Sequence, residues 1–114
     1  MIETPEQFDS LIAEGVYTII GFTASWCGPC KKLAPVFEEL ATANNNRQIR
    51  YYKVDVDQLS ETATMNGVKA LPTFHVWHSG KAVYVCEGGS DTTLRALVGK
   101  VDERSRGLKT DESF

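Results

Sequence analysis

From Val16 to Phe22 the chain is an almost unbroken apolar run rich in β-branched residues. A strand with one face in water alternates apolar and polar residues, and this run does not alternate. It predicts a strand covered on both sides, as in an α/β sheet with helices over each face. The flanking segments have helical periodicity instead. Before the run, Thr4-Pro5-Glu6-Gln7 opens a helix: Thr4 can cap, Pro5 suits the first helical position and Gln7 can complete a capping box. Phe8, Leu11 and Ile12 then share one face. After it, Leu33, Val36, Phe37 and Leu40 recur at helical spacing until the turn-favouring Asn44-Asn45-Asn46. Pro35 lacks the amide that would bond the Lys31 carbonyl, which predicts a kink in this helix.

The second half repeats the alternation. Ile49 to Val56 reads as a strand, Ser60 to Asn66 as a short helix closed by Gly67, and Thr73 to His78 as a third strand. Ser79-Gly80 forms a hairpin turn to a partner strand at Ala82 to Glu87. A last helix from about Ser90 carries Leu94, Leu97, Val98 and Val101 on one face. After Val101 the segment DERSRGLKTDESF has few apolar residues, so 102–114 is expected to be a polar, flexible tail.

A chain of 114 residues fits one domain with a sustainable core. Its 42% hydrophobic and 24% charged residues argue against disorder. The net charge of -3 gives no basic footprint for nucleic acid, and the apolar runs are too short to span a bilayer. Met1 leads into Ile2-Glu3-Thr4 without the features of a secretory signal, so the expected location is cytoplasmic. Three cysteines in that context do not suggest a disulfide framework. The close pair Cys27-Gly28-Pro29-Cys30 points to metal binding or redox catalysis.

Disulfide exchange needs one thiol that ionises near neutral pH and a second close enough to displace the substrate from a mixed disulfide. Cys27, after a strand and a short loop, is placed at the start of a helix, where unpaired amides and the macrodipole favour a thiolate. Bringing a thiol to ionisation near neutrality takes about 2 kcal/mol, the upper end of a helix-terminus effect. Cys30, one turn along, can supply the remainder by pointing its S–H at the Cys27 sulfur, and a three-residue separation suits disulfide geometry. Lys31 and Lys32 add positive charge, a secondary effect for exposed lysines. Gly28 permits close approach of another chain, Pro29 stiffens the loop, and Trp26 offers a flat surface for substrate beside the sulfur.

A structural zinc site is the competing use of the pair, with further ligands from Cys86, His75 and His78. No second Cys-x-x-Cys or His-x3-His occurs, which disfavours it. Cys86 reads as a small hydrophobe of a strand, and His75 and His78 as strand or turn residues. Asp55 and Asp57 end a strand and start a turn, with proton transfer by Asp55 a minor option.

The segments TASWCGPCKKLAP, KVDVDQ, VKALPTFHVW, SGK and EGG, in this order over residues 1 to about 101, resemble the thioredoxin family. The resemblance implies a thioredoxin fold, a central mixed β-sheet flanked by helices. Leu71-Pro72 would be a cis peptide facing the cysteines, Ala70 and Leu71 would pair with an extended substrate segment, and Gly88 and Gly89 would line the groove. It further implies a redox-active Cys27–Cys30 disulfide, with Cys27 attacking and Cys30 resolving. No cofactor would be bound, and electrons would come from NADPH through thioredoxin reductase. Clients would be disulfide-containing proteins such as peroxiredoxins or reductases, and the protein would act as a monomer. A disulfide isomerase or oxidase and a redox-gated, non-catalytic binding module are the alternative functions.

One position departs from the family. Six residues before the first cysteine, where a buried Asp is usual, stands Gly21, and Lys53 takes the place of the lysine that pairs with that Asp. Lys53 is therefore expected to reach solvent, find Asp55 or another acceptor, or be neutral. Two readings of Gly21 stay open: resolution by Cys30 depends on water or another base, or Gly21 accommodates close packing.

Overall fold

A computed structural model describes residues 1–107. Strand β1 (Tyr17–Thr23) is bonded along both edges, in parallel to β2 (Ile49–Asp55) and antiparallel to β3 (Thr73–His78). This central position is why its run is almost wholly apolar. The edge strand β4 (Lys81–Glu87) completes a sheet ordered β2-β1-β3-β4. A parallel β1–β2 pair needs a crossover. Helix α2 (Gly28–Ala43) supplies it, which brings the start of α2 to the carboxyl end of β1.

Side chains of alternating strand positions divide into two cores. Ile19, Phe74 and Val76 pack with Leu33 and Phe37 of α2 and with Leu94 and Leu97 of α4 (Asp91–Ser105). Ile20, Phe22 and Val54 pack with Phe8 of α1 (Pro5–Ile12) and Ala63 of α3 (Ser60–Met65). Phe8 is 2% exposed, and burying a side chain of that size contributes about 2–3 kcal/mol, enough to hold a two-turn helix that would not persist alone.

Local signals set the boundaries. The Thr4 hydroxyl accepts the Gln7 amide at 3.0 Å, while the Gln7 side chain accepts from Glu3 rather than from Thr4, so the reciprocal arm reaches one residue further back than expected. Ser79 (φ 52°) and Gly80 (φ 81°) both lie in the left-handed region that a two-residue hairpin requires. Their amides donate to the carbonyls of Glu14 (3.0 Å) and Ile12 (2.7 Å), docking the hairpin on the end of α1. Helix α2 continues through Pro35 to Ala43 as one element. Ser90 caps α4 in a full capping box with Thr93.

Helix α4 runs into the segment expected to be a tail. Helix α4 continues past Val101 to Ser105 because Asp102 accepts from Asn46 Nδ2 and from Arg106 Nε, both at 2.8 Å, and Asn46 also donates to Ser105. Polar contacts, not apolar ones, carry the extra turn. Residues 108–114, the rest of the expected tail, lie outside the described residues.

Candidate active site

β1 ends at Thr23, and a short loop through Ala24 and Trp26 turns the chain into α2. Cys27 is the N-cap of that helix, with extended backbone (φ -85°, ψ 112°), and its sulfur accepts the Cys30 amide at 3.2 Å. The sulfur thus takes the position of a capping oxygen, where an anion is stabilised by free amides and the macrodipole. Pro29 stands in the first turn, where its missing amide costs nothing. Cys27 and Cys30 form a disulfide with Cα atoms 5.3 Å apart, inside the normal range.

The pair sits in a small cluster with Ala24, against which Val56 and Leu71 pack. Leu71-Pro72 is cis, and the Gly88 amide donates to the Pro72 carbonyl at 2.7 Å, tying the β4 end to this loop. Gly88 and Gly89 have φ of 69° and 114°, values that other residues seldom adopt. Beside Cys27 lies an open hollow of about 600 Å³. It is lined by Trp26, Gly28, Pro29 and Leu71 together with Ala63, Thr64 and Val68 of α3 and the following loop. Ala70, Gly88 and Gly89 are not part of its walls. The α3 wall was not foreseen, since its small residues read only as a short helix.

Trp26 is 68% exposed, yet its indole is fixed, because Nε1 donates to Asp57 Oδ2 at 2.8 Å. Asp57 in turn is positioned by its own amide, which donates to Asp55 Oδ1 at 2.8 Å. Asp55 therefore shapes a turn, as expected, and its carboxylate is engaged there. Lys53 finds the acceptor expected of it in Glu38 of α2 rather than Asp55, and its Nζ lies 5.7 Å from the centre of the Phe37 ring. Lys31 and Lys32 are exposed at the start of α2.

Gly21 lies opposite Lys53 on β2 and Phe74 on β3. A Cβ added there would come within 3.2 Å of the Phe74 ring, so close packing is real at this position. A cavity of about 30 Å³ also opens beside it, reaching Cys30 and Lys53.

The remaining candidates are dispersed. His75 is 3% exposed on β3, its Nδ1 has no hydrogen-bond partner among the described residues, and burial holds its pKa below the ordinary value. Cys86 is a half-buried free thiol whose pKa burial raises. Among the described residues no group of three or more His, Cys, Asp or Glu side chains is placed to hold a metal, and no helix is long and apolar enough to cross a membrane.

A mixed four-stranded sheet with a Cys-x-x-Cys disulfide at the start of its crossover helix defines a dithiol–disulfide oxidoreductase of thioredoxin fold. The Thioredoxin family model matches residues 1–101. Thioredoxin 1 of Plasmodium falciparum is 35% identical over 100 residues, covering 88% of this chain and 94% of its own. A solved structure of Plasmodium falciparum thioredoxin superposes with a TM-score of 0.81 over 87% of this chain and 95% of that one, at 35% identity. A chain from structural work on thiol resolution in yeast mitochondrial 1-Cys peroxiredoxin via the glutathione and thioredoxin systems gives 0.78 at 29% identity, over 87% and 92% of the two chains. The chain belongs to the thioredoxin family. It is accordingly a protein-disulfide reductase acting on disulfide-containing partners, by chemistry that needs no bound cofactor.

Proposed function

We propose that this protein reduces client disulfides by attack of the Cys27 thiolate and resolution by Cys30. The observation that carries the assignment of roles is the Cys27 sulfur in the capping position of α2, beside the open hollow. Attack forms the Cys27–client bond and breaks the client disulfide, releasing one client thiolate. Cys30 then loses its proton and attacks Cys27 Sγ, forming the Cys27–Cys30 bond and releasing the second client thiolate. Two electrons pass to the client, and the released thiolates take protons from water.

In this reading Trp26, Gly28, Pro29 and Leu71 contact the client, the backbone of Ala70 and Leu71 pairs with its extended segment, and Pro72, Gly88 and Gly89 shape that edge. Electrons return from NADPH through thioredoxin reductase, and the protein works as a cytoplasmic monomer in electron transport to clients and redox homeostasis. A peroxiredoxin is a reasonable client, given that the yeast relative belongs to peroxiredoxin thiol resolution.

The test is the reduction potential of the Cys27–Cys30 couple against a defined thiol–disulfide buffer. A potential near about -270 mV, the value typical of thioredoxins and not one obtained from this structure, supports a cytosolic reductant. One near roughly -180 mV or above points instead to an oxidant or isomerase.

A further inference from the structure

A single exposed apolar side chain is ordinary, whereas exposed apolar residues gathered around one concavity mark a binding surface. Met65 is 84% exposed, more than any other large apolar side chain among the described residues, and Trp26 follows at 68%. Trp26 lines the hollow beside Cys27. Met65 lines a smaller hollow of about 190 Å³ together with Ser60, Glu61 and Thr64. Ser60 and Thr64 line both, so the two hollows meet on α3.

Helical periodicity puts Met65 there. Thr62 and Ala63 of α3 are buried, which leaves Ser60, Glu61, Thr64 and Met65 outward. The core does not hold Met65, and its thioether is free to meet a partner. Such a side chain is unbranched and polarizable, and it adapts to partner surfaces of different shape. It is also open to a hydroperoxide. The S–O bond forms as the peroxide O–O bond breaks, the sulfur loses two electrons, and hydrogen peroxide is reduced to water. The sulfoxide is polar and chiral, and it no longer matches an apolar partner.

We propose that Met65 is an outer contact of the client surface, taking an apolar side chain of the client near its disulfide, and that oxidation of Met65 to the sulfoxide by hydroperoxide is a modification that weakens this contact. Helix α3 has 6 residues and is roughly 9 Å long. An extended client segment covers that span with about three residues. The clients favoured are therefore those with an apolar residue a few positions from the disulfide cysteine, and peroxide removes the preference. This rests on Cys27 being the attacking thiol, and it carries the client surface past the hollow onto the outer face of α3.

The probe is a set of unstructured peptide disulfides that differ only in Leu or Ser at one position, scanned about two to six residues from the cysteine. At the best position the reduced parent is expected to act on the Leu peptide about five- to tenfold faster than on the Ser peptide, the difference that burying part of one apolar side chain makes. Hydrogen peroxide is then applied to the oxidised protein, in which Cys27 and Cys30 are joined, and removed before reduction. Peptide mapping should find the sulfoxide at Met65, and the Leu-to-Ser ratio should fall to within about twofold of unity, as it should in untreated Met65→Gln. Met65→Leu, which stays apolar but has no sulfur, keeps the ratio before and after peroxide. At 84% exposure none of these substitutions disturbs the core. A parent with no Leu-to-Ser difference at any position overturns the docking, and a ratio unchanged by the sulfoxide or by Met65→Gln overturns the role of Met65. A loss after peroxide that persists in Met65→Leu places the sensitivity in another residue and overturns the modification. Failure of Cys27 in the reduced parent to capture dithiobis-nitrobenzoate, a small aromatic disulfide, would instead sink the reading of the cysteine roles.

Discussion

The indole of Trp26 is anchored by Asp57, Nε1 to Oδ2 at 2.8 Å, across 31 residues of sequence. The anchor joins the loop before α2 to the turn after β2, and it holds the most exposed aromatic surface at the site in one orientation. A hydrogen bond to a charged acceptor contributes more than a neutral one, though solvent exposure reduces its net worth to about 1 kcal/mol. Asp57→Ala is expected to slow capture of a protein disulfide by Cys27 several-fold, with a change in unfolding free energy below about 1 kcal/mol. Asp57→Asn, which still presents an oxygen, should lie between the two. Capture rates in a Cys30→Ser background measure this, and an Asp57→Ala rate equal to the parent's would separate Trp26 orientation from client attack.

Gly21 is a second case in which a distance decides the sign. Adding a methyl in a strand gains about 0.5–1 kcal/mol by removing glycine's entropic penalty. Against this, the new Cβ would sit 3.2 Å from the Phe74 ring. That ring is 4% exposed and stacked on Phe37 with centroids 5.9 Å apart, so fitting a methyl requires both rings to shift, with only the small cavity they help to bound to move into. Overpacking of this kind costs about 1–3 kcal/mol and outweighs the entropic gain. Gly21→Ala should therefore be net destabilising by on the order of 1 kcal/mol, read as a lower urea midpoint with unchanged slope. A raised midpoint would mean that Phe74 yields.

How much of this was legible in the sequence follows from the range of the interactions. β1, α2 and the hairpin at Ser79-Gly80 are written in local periodicity and backbone preference, and the cysteine pair in a spacing of one helical turn. The cis Leu71-Pro72 peptide was available through family resemblance, not through local chemistry. Contacts between distant segments left no local trace: Glu38 with Lys53, Trp26 with Asp57, and Asn46 with Asp102, 56 residues away, which extends α4 past Val101. Both readings of Gly21 stay open because the position combines a crowded neighbour, Phe74, with a small cavity that the same ring lines.

His75 predicts an acid sensitivity of the fold. Its imidazole is buried against the Phe22 ring, centroids 4.7 Å apart, and burial lowers its pKa in the folded state. The unfolded chain takes up this proton as pH falls through the ordinary histidine value of about 6.5, and the folded protein does so only at lower pH. Between those two values the unfolded state binds more protons, so stability falls as pH falls, and the loss is complete below the folded value. Urea unfolding from about pH 7 down to about pH 5 should show a declining free energy that is shallower in His75→Phe. Parallel slopes would place the acid sensitivity elsewhere.

Cys86 sets accessibility against ionisation. Cys27 is only 5% exposed, whereas Cys86 is partly open to solvent, so exposure alone would make Cys86 the faster target of an alkylating reagent. Reactivity, however, follows the thiolate. Cys27 sits in the capping position of α2, with the Cys30 amide aimed at its sulfur, while burial pushes the Cys86 thiol up from its ordinary pKa. In the reduced protein near neutral pH, iodoacetamide should modify Cys27 at least about tenfold faster than Cys86, with the gap narrowing as pH rises and Cys86 begins to ionise. In the oxidised protein, where Cys27 and Cys30 are joined, the slow phase of Cys86 should remain at its own rate. Peptide mapping after timed alkylation distinguishes the sites. Equal rates for Cys27 and Cys86 in the reduced protein would mean that the helix terminus does not activate Cys27, and would remove the physical basis for assigning it the attack.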